Sequence, residues 1–206
     1  MTASLLSRMS PTITNMIRMD HTHLVSAFHQ YQLDTPARVK KGLADNICLA
    51  LEVHAQLEEE IFYPAMREVA PDDVLEQSKP AHDEMRSLIA RLRALQPQDA
   101  GFDQTVFDLM RAVLHHVAEE ETQLLPKAER LLSGQLSEMG SRMTRRRLQL
   151  LGPRSGELAG SMARSMSSGT LLAAAGALAA AGGLLLARRT DASSREGWMH
   201  KPRAGH

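Results

Sequence analysis

One cysteine in 206 residues, Cys48, leaves no internal disulfide and no cysteine-rich zinc or iron–sulfur site. Aromatic residues make up 3% of the chain. That is too little for a sandwich or barrel, whereas Met, Leu and Ala are plentiful and favour helices. The first twenty residues contain no apolar stretch of signal-peptide length, so synthesis and folding in the cytosol are expected. Net charge is missing too, with 24 Lys and Arg against 24 Asp and Glu. That zero is a cancellation: residues 1–130 carry 13 basic and 20 acidic side chains, and residues 131–206 carry 11 and 4. An acidic first region lacks the basic footprint that phosphate contact needs, so the sequence excludes a nucleic-acid-binding core.

About 130 residues suffice for one single-core domain. Nine histidines are present, seven of them before residue 117. Apolar positions recur at spacings of three and four in four stretches. The first opens at Ser10-Pro11 and runs through Ile13, Ile17, His21, Leu24 and Phe28. The second opens at Thr35-Pro36 and carries Leu43, Ile47, His54, Glu58 and Ile61 to Pro64 or a turn beyond. After Pro71-Asp72-Asp73, a third stripe holds His82, Met85, Ile89 and Leu92, with Pro80 near its start. The fourth steps regularly through Phe102, Val106, Leu109, Val113, His116, Glu120 and Leu124 and reaches about Leu132. Four long helices with short connections predict an all-α, up-down-up-down antiparallel four-helix bundle over residues 10–132.

Each stripe contains one histidine. His54, Glu58 and Pro64 match His116, Glu120 and Pro126 in an identical H-x3-E-x5-P spacing, with His21 33 residues before His54 and His82 34 before His116. This is an internal repeat of a helix pair. A lone H-x3-E is usually a surface ion pair. Duplication on apolar stripes favours metal, because an unpaired buried carboxylate is costly and an ion removes the cost. His and Glu at i, i+4 share a helix face, so His21, His54, Glu58, His82, His116 and Glu120 can converge at one level. Four imidazoles and two carboxylates suit two divalent ions, with the carboxylates bridging. Nitrogen and oxygen donors without thiolate favour iron over manganese or zinc. Solvent and small ligands would complete the coordination. His115 and Glu119 are rotated about 100° from the stripe, His23 should face away from it, and His29 sits at its edge.

These residues, Asp20-His21, His54 through Glu58-Glu59 with Pro64, His82-Asp83-Glu84, and His116 through Glu119-Glu120 with Pro126, resemble the hemerythrin family in its HHE cation-binding branch, over roughly residues 10–132. The resemblance implies a non-haem di-iron centre with His21, His54, His82 and His116 as terminal ligands and Glu58 and Glu120 as bridges. Oxygen-carrying hemerythrins have a further histidine where Arg86 stands. Its loss points away from reversible oxygen transport, toward binding or sensing of oxygen, nitric oxide or iron, or toward an enzyme acting on peroxide or nitric oxide. Glu59 and Glu119 are the candidates to fill the gap.

Beyond the bundle, residues 133–169 are rich in Ser, Gly, Met and Arg and read as a basic flexible linker. Residues 170–187 form an uncharged run closed by Arg188-Arg189, expected as a single C-terminal hydrophobic helix spanning a membrane, the alternative being a low-complexity Ala/Gly helix that lies on a surface or mediates self-association. A polar tail, 188–206, follows. The metal domain is expected in the cytoplasm, tethered by that span.

Overall fold

The computed structural model describes residues 11–70 and 73–166, and all regular structure among them is helical. Helix α1 spans Ile13–His29, α2 Ala37–Leu57, α3 Tyr63–Val69, α4 Asp73–Ala94, α5 Phe102–Glu119, α6 Leu125–Leu131, α7 Leu136–Leu151 and α8 Ser155–Ser165. Single π-helical turns, Glu58–Phe62 and Glu120–Leu124, carry α2 into α3 and α5 into α6. The start signal for α1 is two residues later than expected from Ser10-Pro11. Thr12 is the N-cap, and its Oγ1 accepts from the backbone N–H of Asn15 at 3.3 Å. Helix α2 begins directly after Pro36, whose missing N–H costs nothing there. Helix α5 starts after Gly101 at φ 96°, a left-handed conformation that glycine tolerates without strain. Pro80 lies inside α4 without ending it.

Helix α1 packs on α2 and α5, and α4 packs on α5 and α2, which closes a ring of four helical segments. Its interior is divided. One apolar cluster gathers Ile13, Ile17, Leu57, Phe62, Leu124 and Leu125, and another gathers Leu24, Phe28, Met85, Ile89, Leu109 and Val113. Along α1, His21 falls between Ile17 of the first cluster and Leu24 of the second. Along α5 and its π turn, His116 falls between Val113 and Leu124. The polar layer thus separates two apolar cores that fix the helices on either side of it.

The basic segment read as a flexible linker is, up to residue 166, two helices docked on the core. Leu136, Met139 and Met143 of α7 are buried in the first apolar cluster, each contributing about 1.5–3 kcal/mol before ordering entropy is deducted. Helix α8 lies along α2. Arginines of this basic segment reach acids far away in sequence. Arg146 binds Glu60 at 2.6 and 2.8 Å, Arg154 binds Glu52 at 2.5 Å, and Arg164 binds Asp45 at 2.9 Å. The run 170–187, expected to span a membrane as a hydrophobic helix, and the tail 188–206 lie outside the described residues. Among the described residues, no helix is long and apolar enough to cross a membrane.

Candidate metal centre

His54 occupies the last turn of α2 and Glu58 the first position of the π turn that follows. His116 and Glu120 hold the same places at the end of α5. In each π turn an N–H reaches back five residues, from Tyr63 to the Glu58 carbonyl and from Leu125 to the Glu120 carbonyl. Pro64 and Pro126 come next. In a regular helix a proline ring collides with the carbonyl four residues back. The wider turn relieves that collision, so both segments stay helical through their prolines. The repeated H-x3-E-x5-P spacing therefore encodes a π-helical turn at the glutamate as well as a pair of polar side chains. Such turns recur at functional sites.

The structure brings all six expected residues together. His21, His54, Glu58 and Glu120 form one group and Glu58, His82 and His116 a second, each with ligand atoms within 4.8 Å of one another. Glu58 belongs to both. Its Oε2 lies 3.3 Å from His54 Nε2, 3.4 Å from His82 Nε2 and 4.0 Å from His116 Nε2. Glu120 Oε2 lies 3.4 Å from His21 Nε2 and 3.6 Å from His116 Nε2. All six residues are buried. His21 Nε2, His54 Nε2, Glu58 Oε1 and Glu120 Oε2 make no hydrogen bond. An unsatisfied buried polar atom costs about 1–3 kcal/mol, so four on one layer are unfavourable unless an ion meets them. This donor set, nitrogen and carboxylate oxygen without thiolate, fits iron.

Around this layer, carboxylates face the Nδ1 atoms of three ligand-type histidines, as they do around metal-bound imidazoles. Glu121 lies 2.9 Å from His21 Nδ1, Glu59 lies 2.9 Å from His82 Nδ1, and Asp20 lies 3.5 Å from His54 Nδ1. Arg86, at the place of the absent fifth histidine, turns outward and donates to Glu59 at 2.6 Å and to Asp83 at 2.9 Å. Glu59 is thus engaged outside the layer, and Glu119 lies 3.5 Å from the exposed His115. Neither fills the gap. The residue that reaches in is Tyr63, which the sequence reading missed. Its hydroxyl donates to Glu120 Oε1 at 2.7 Å and lies 3.3 Å from Glu58 Oε2 and 3.2 Å from His82 Nε2. The available signal was a polar residue before Pro64 where the repeat has Leu125 before Pro126.

Burial and the facing Glu120 push the Glu58 carboxyl well above the ordinary range. For Glu120, burial acts in the same direction, but the facing imidazoles of His21, His116 and His54 outweigh it and draw the carboxyl down. Burial lowers His82, with His54 adding to the effect against Glu59. Burial also brings His116 down to about 4, Glu120 opposing and the other imidazoles assisting. Neutral imidazoles are the form that binds metal. The unfolded chain takes up a proton at this histidine near 6.5 and the folded chain only near 4. Stability of the metal-free protein therefore falls as pH drops through that window, by about 3 kcal/mol from this group. Glu58, whose carboxyl is raised, acts with the opposite sign, gaining as pH falls. The measurement is the difference in urea midpoint between wild type and His116→Gln from pH 7 to pH 4. The variant should lose less stability over that range, and parallel curves would refute the assignment.

A family model described as the hemerythrin HHE cation binding domain matches residues 12–128. A curated relative, a DNA nickase from Nostoc sp., is 28% identical over 126 residues, which cover 61% of this chain and 36% of the relative. The chain thus spans little more than a third of that protein's length. A crystal structure of a hemerythrin HHE cation-binding domain-containing protein from Mycobacterium kansasii superposes with a TM-score of 0.63 at 18% identity, covering 76% of this chain and 99% of that one. At that identity the likeness speaks for the fold, and it extends past the family match into the C-terminal helices.

Proposed function

The chain belongs to the hemerythrin HHE cation-binding family, and from that premise we propose that it is a non-haem di-iron protein that binds or senses dioxygen, nitric oxide or iron itself. The observation that carries this reading is the pair of overlapping ligand groups sharing Glu58, with buried polar atoms left unmet between them. In this reading the ring of segments is an up-down-up-down antiparallel four-helix bundle. His21 and His54 would hold one iron and His82 and His116 the other, with Glu58 and Glu120 as the carboxylate ligands. Bound iron would supply redox chemistry and open positions for a diatomic ligand. Manganese and zinc fit the donors less specifically. A cytoplasmic metal domain tethered to a membrane through 170–187 belongs to the same proposal and rests on composition alone. The nickase activity named for the Nostoc relative is not carried over. Arg146, Arg147, Arg154 and Arg164 are committed to intramolecular carboxylates rather than to a phosphate-binding face.

Tyr63 favours a second reading, a di-iron enzyme acting on peroxide or nitric oxide as a peroxidase, oxidase or reductase. Burial, followed by the charges of Glu58 and Glu120, raises its phenol well above the usual range, so the hydroxyl keeps its proton at neutral pH. A proton donor inside the ligand layer is useful for turnover and unnecessary for simple binding. Stopped-flow spectroscopy of the reduced, iron-loaded protein with oxygen, nitric oxide and peroxide separates the readings. A reversible or single stoichiometric spectral change supports binding or sensing. Repeated turnover that drops at least about tenfold in Tyr63→Phe supports the enzyme. Purified protein without iron and without any spectral response would refute both.

A further inference from the structure

Three histidines of the centre have a carboxylate at Nδ1, but the carboxylates are held differently. Glu121 and Glu59 belong to the ring of four segments and contact their histidines at 2.9 Å. Asp20 stands 3.5 Å from His54 Nδ1, slightly beyond a hydrogen bond, and its own anchor comes from outside the ring. Arg147 of α7 grips it with both arms of the guanidinium, Nη1 to Oδ1 at 2.9 Å and Nη2 to Oδ2 at 2.5 Å. A two-pronged arginine–carboxylate contact fixes orientation as well as distance. The Oδ2 that Arg147 holds is the oxygen facing His54.

The surroundings make this grip necessary. Asp20, His54 and Arg147 line a cavity of about 420 Å³, whose other walls are largely apolar and include Leu24, Leu151 and Leu158. The wall is mostly apolar, its further polar side chains being His23 and Asn46, of which Asn46 is paired with Ser161 and Ser165, and the open volume gives the carboxylate room to rotate. Packing therefore does not hold Asp20 against His54. Arg147 does, and its Nε is buried in the same place without a hydrogen-bond partner.

We propose that Arg147, supplied by the C-terminal helices, is the positioning residue for His54, acting through Asp20. It aims the Asp20 carboxylate at Nδ1, which places the ring proton there and presents Nε2 to the layer shared with Glu58. Docking of α7 thereby becomes a condition for a correctly presented ligand, and displacement of α7 loosens that histidine first. The inference rests on the di-metal reading for its consequence, but the arrangement of the imidazole can be measured without metal.

Arg146 provides the control, because it ties the same helix to Glu60 at 2.6 and 2.8 Å and neither residue of that pair touches a ligand-type histidine. In iron-loaded protein challenged with a chelator, Arg147→Gln should release iron about tenfold faster than wild type. Arg146→Gln should stay within about twofold. Asp20→Asn combined with Arg147→Gln should be no worse than Asp20→Asn alone, since both act through one path. Arg147→Lys keeps the charge without the fork and should recover only part of the loss. In metal-free protein, nitrogen-15 NMR of the His54 ring should show one tautomer, protonated at Nδ1, which becomes a mixture in Arg147→Gln but not in Arg146→Gln. Equal iron release from the Arg146 and Arg147 variants would mean that α7 merely needs to be attached, and would overturn the proposal. An unchanged His54 tautomer in Arg147→Gln would overturn it as well. Wild type that binds no iron would defeat the di-metal reading, and the ring tautomer would still decide the role of Arg147.

Discussion

Replacing Glu58 with glutamine is expected to empty the metal centre while making the metal-free protein more stable. Both effects come from one fact, that this carboxylate belongs to both ligand groups and is fully buried. Loss of a partner behind a ligand costs 10–100-fold in metal affinity, and loss of a shared ligand should exceed that, at least about 100-fold for each ion. Without an ion, burial and Glu120 hold the carboxyl well above its ordinary range. A carboxyl raised in this way opposes folding on the alkaline side of its window, and this cost disappears as pH falls below the unfolded value. An amide of the same size carries no such charge cost and can still pair with Tyr63. Iron per chain should thus fall below the detection of a one-ion site, while the urea midpoint of the metal-free variant at pH 7 rises above that of metal-free wild type. A variant that keeps one full equivalent of iron would show that Glu58 is not shared. A fall in the metal-free midpoint would show that its burial is already compensated.

The second large effect is expected at a glycine remote from the centre. A side chain at Gly42 would bring its first carbon to 2.3 Å from the backbone nitrogen of Ser165 and 2.6 Å from the Arg164 carbonyl carbon. Backbone atoms of a docked helix cannot yield as a flexible side chain can. Gly42→Val should therefore unseat α8 from α2, at an expected cost near the upper end of the 1–3 kcal/mol typical of overpacking. The pairing of Ser161 with Asn46 and of Arg164 with Asp45 would be lost with it. Limited proteolysis should then cut between α7 and α8, around Gly152–Ser155, far faster than in wild type, with a fall in melting temperature. Iron retention should suffer less than in Glu58→Gln, because α7 and its Arg147 are anchored separately through Leu136, Met139 and Met143 in the first apolar cluster. An unchanged cleavage pattern would mean that α2 and α8 separate enough to admit the side chain, and the close packing would not be required.

The legible features were those written within single helices. His21, His54, His82 and His116 could be placed on inward faces because a helix repeats every 3.6 residues, so spacing alone tells which side chains share a face. The duplicated His–Glu–Pro pattern then raised the six-residue set above a chance ion pair. The π turns at Glu58 and Glu120 were implicit in the same pattern, through the prolines, but only the backbone revealed that five-residue hydrogen bonds accommodate them. Arg86 could be seen to replace a histidine, yet which group would occupy the vacated space could not. The C-terminal helices were missed because Leu136, Met139, Gly140 and Met143 are a short, weakly apolar stripe amid arginines, serines and glycines. In isolation such a stretch is indistinguishable from solvated chain.

The sequence by itself determined the helical class, the acidic character of the first 130 residues, the histidine and glutamate set, and the family to which they belong. These are local or additive properties, fixed by spacing along one chain segment or by counting charge. Only the tertiary structure decided that Tyr63 enters the ligand layer, that Glu59 and Glu119 stay outside it, and that Arg147 braces Asp20 behind His54. It also decided where much of the basic excess goes. Arg146 meets Glu60 across 86 residues and Arg147 meets Asp20 across 127, distances over which no periodicity carries information. Which charges and which phenol come together is set by how the helices pack around two apolar clusters, and packing is a property of the whole fold.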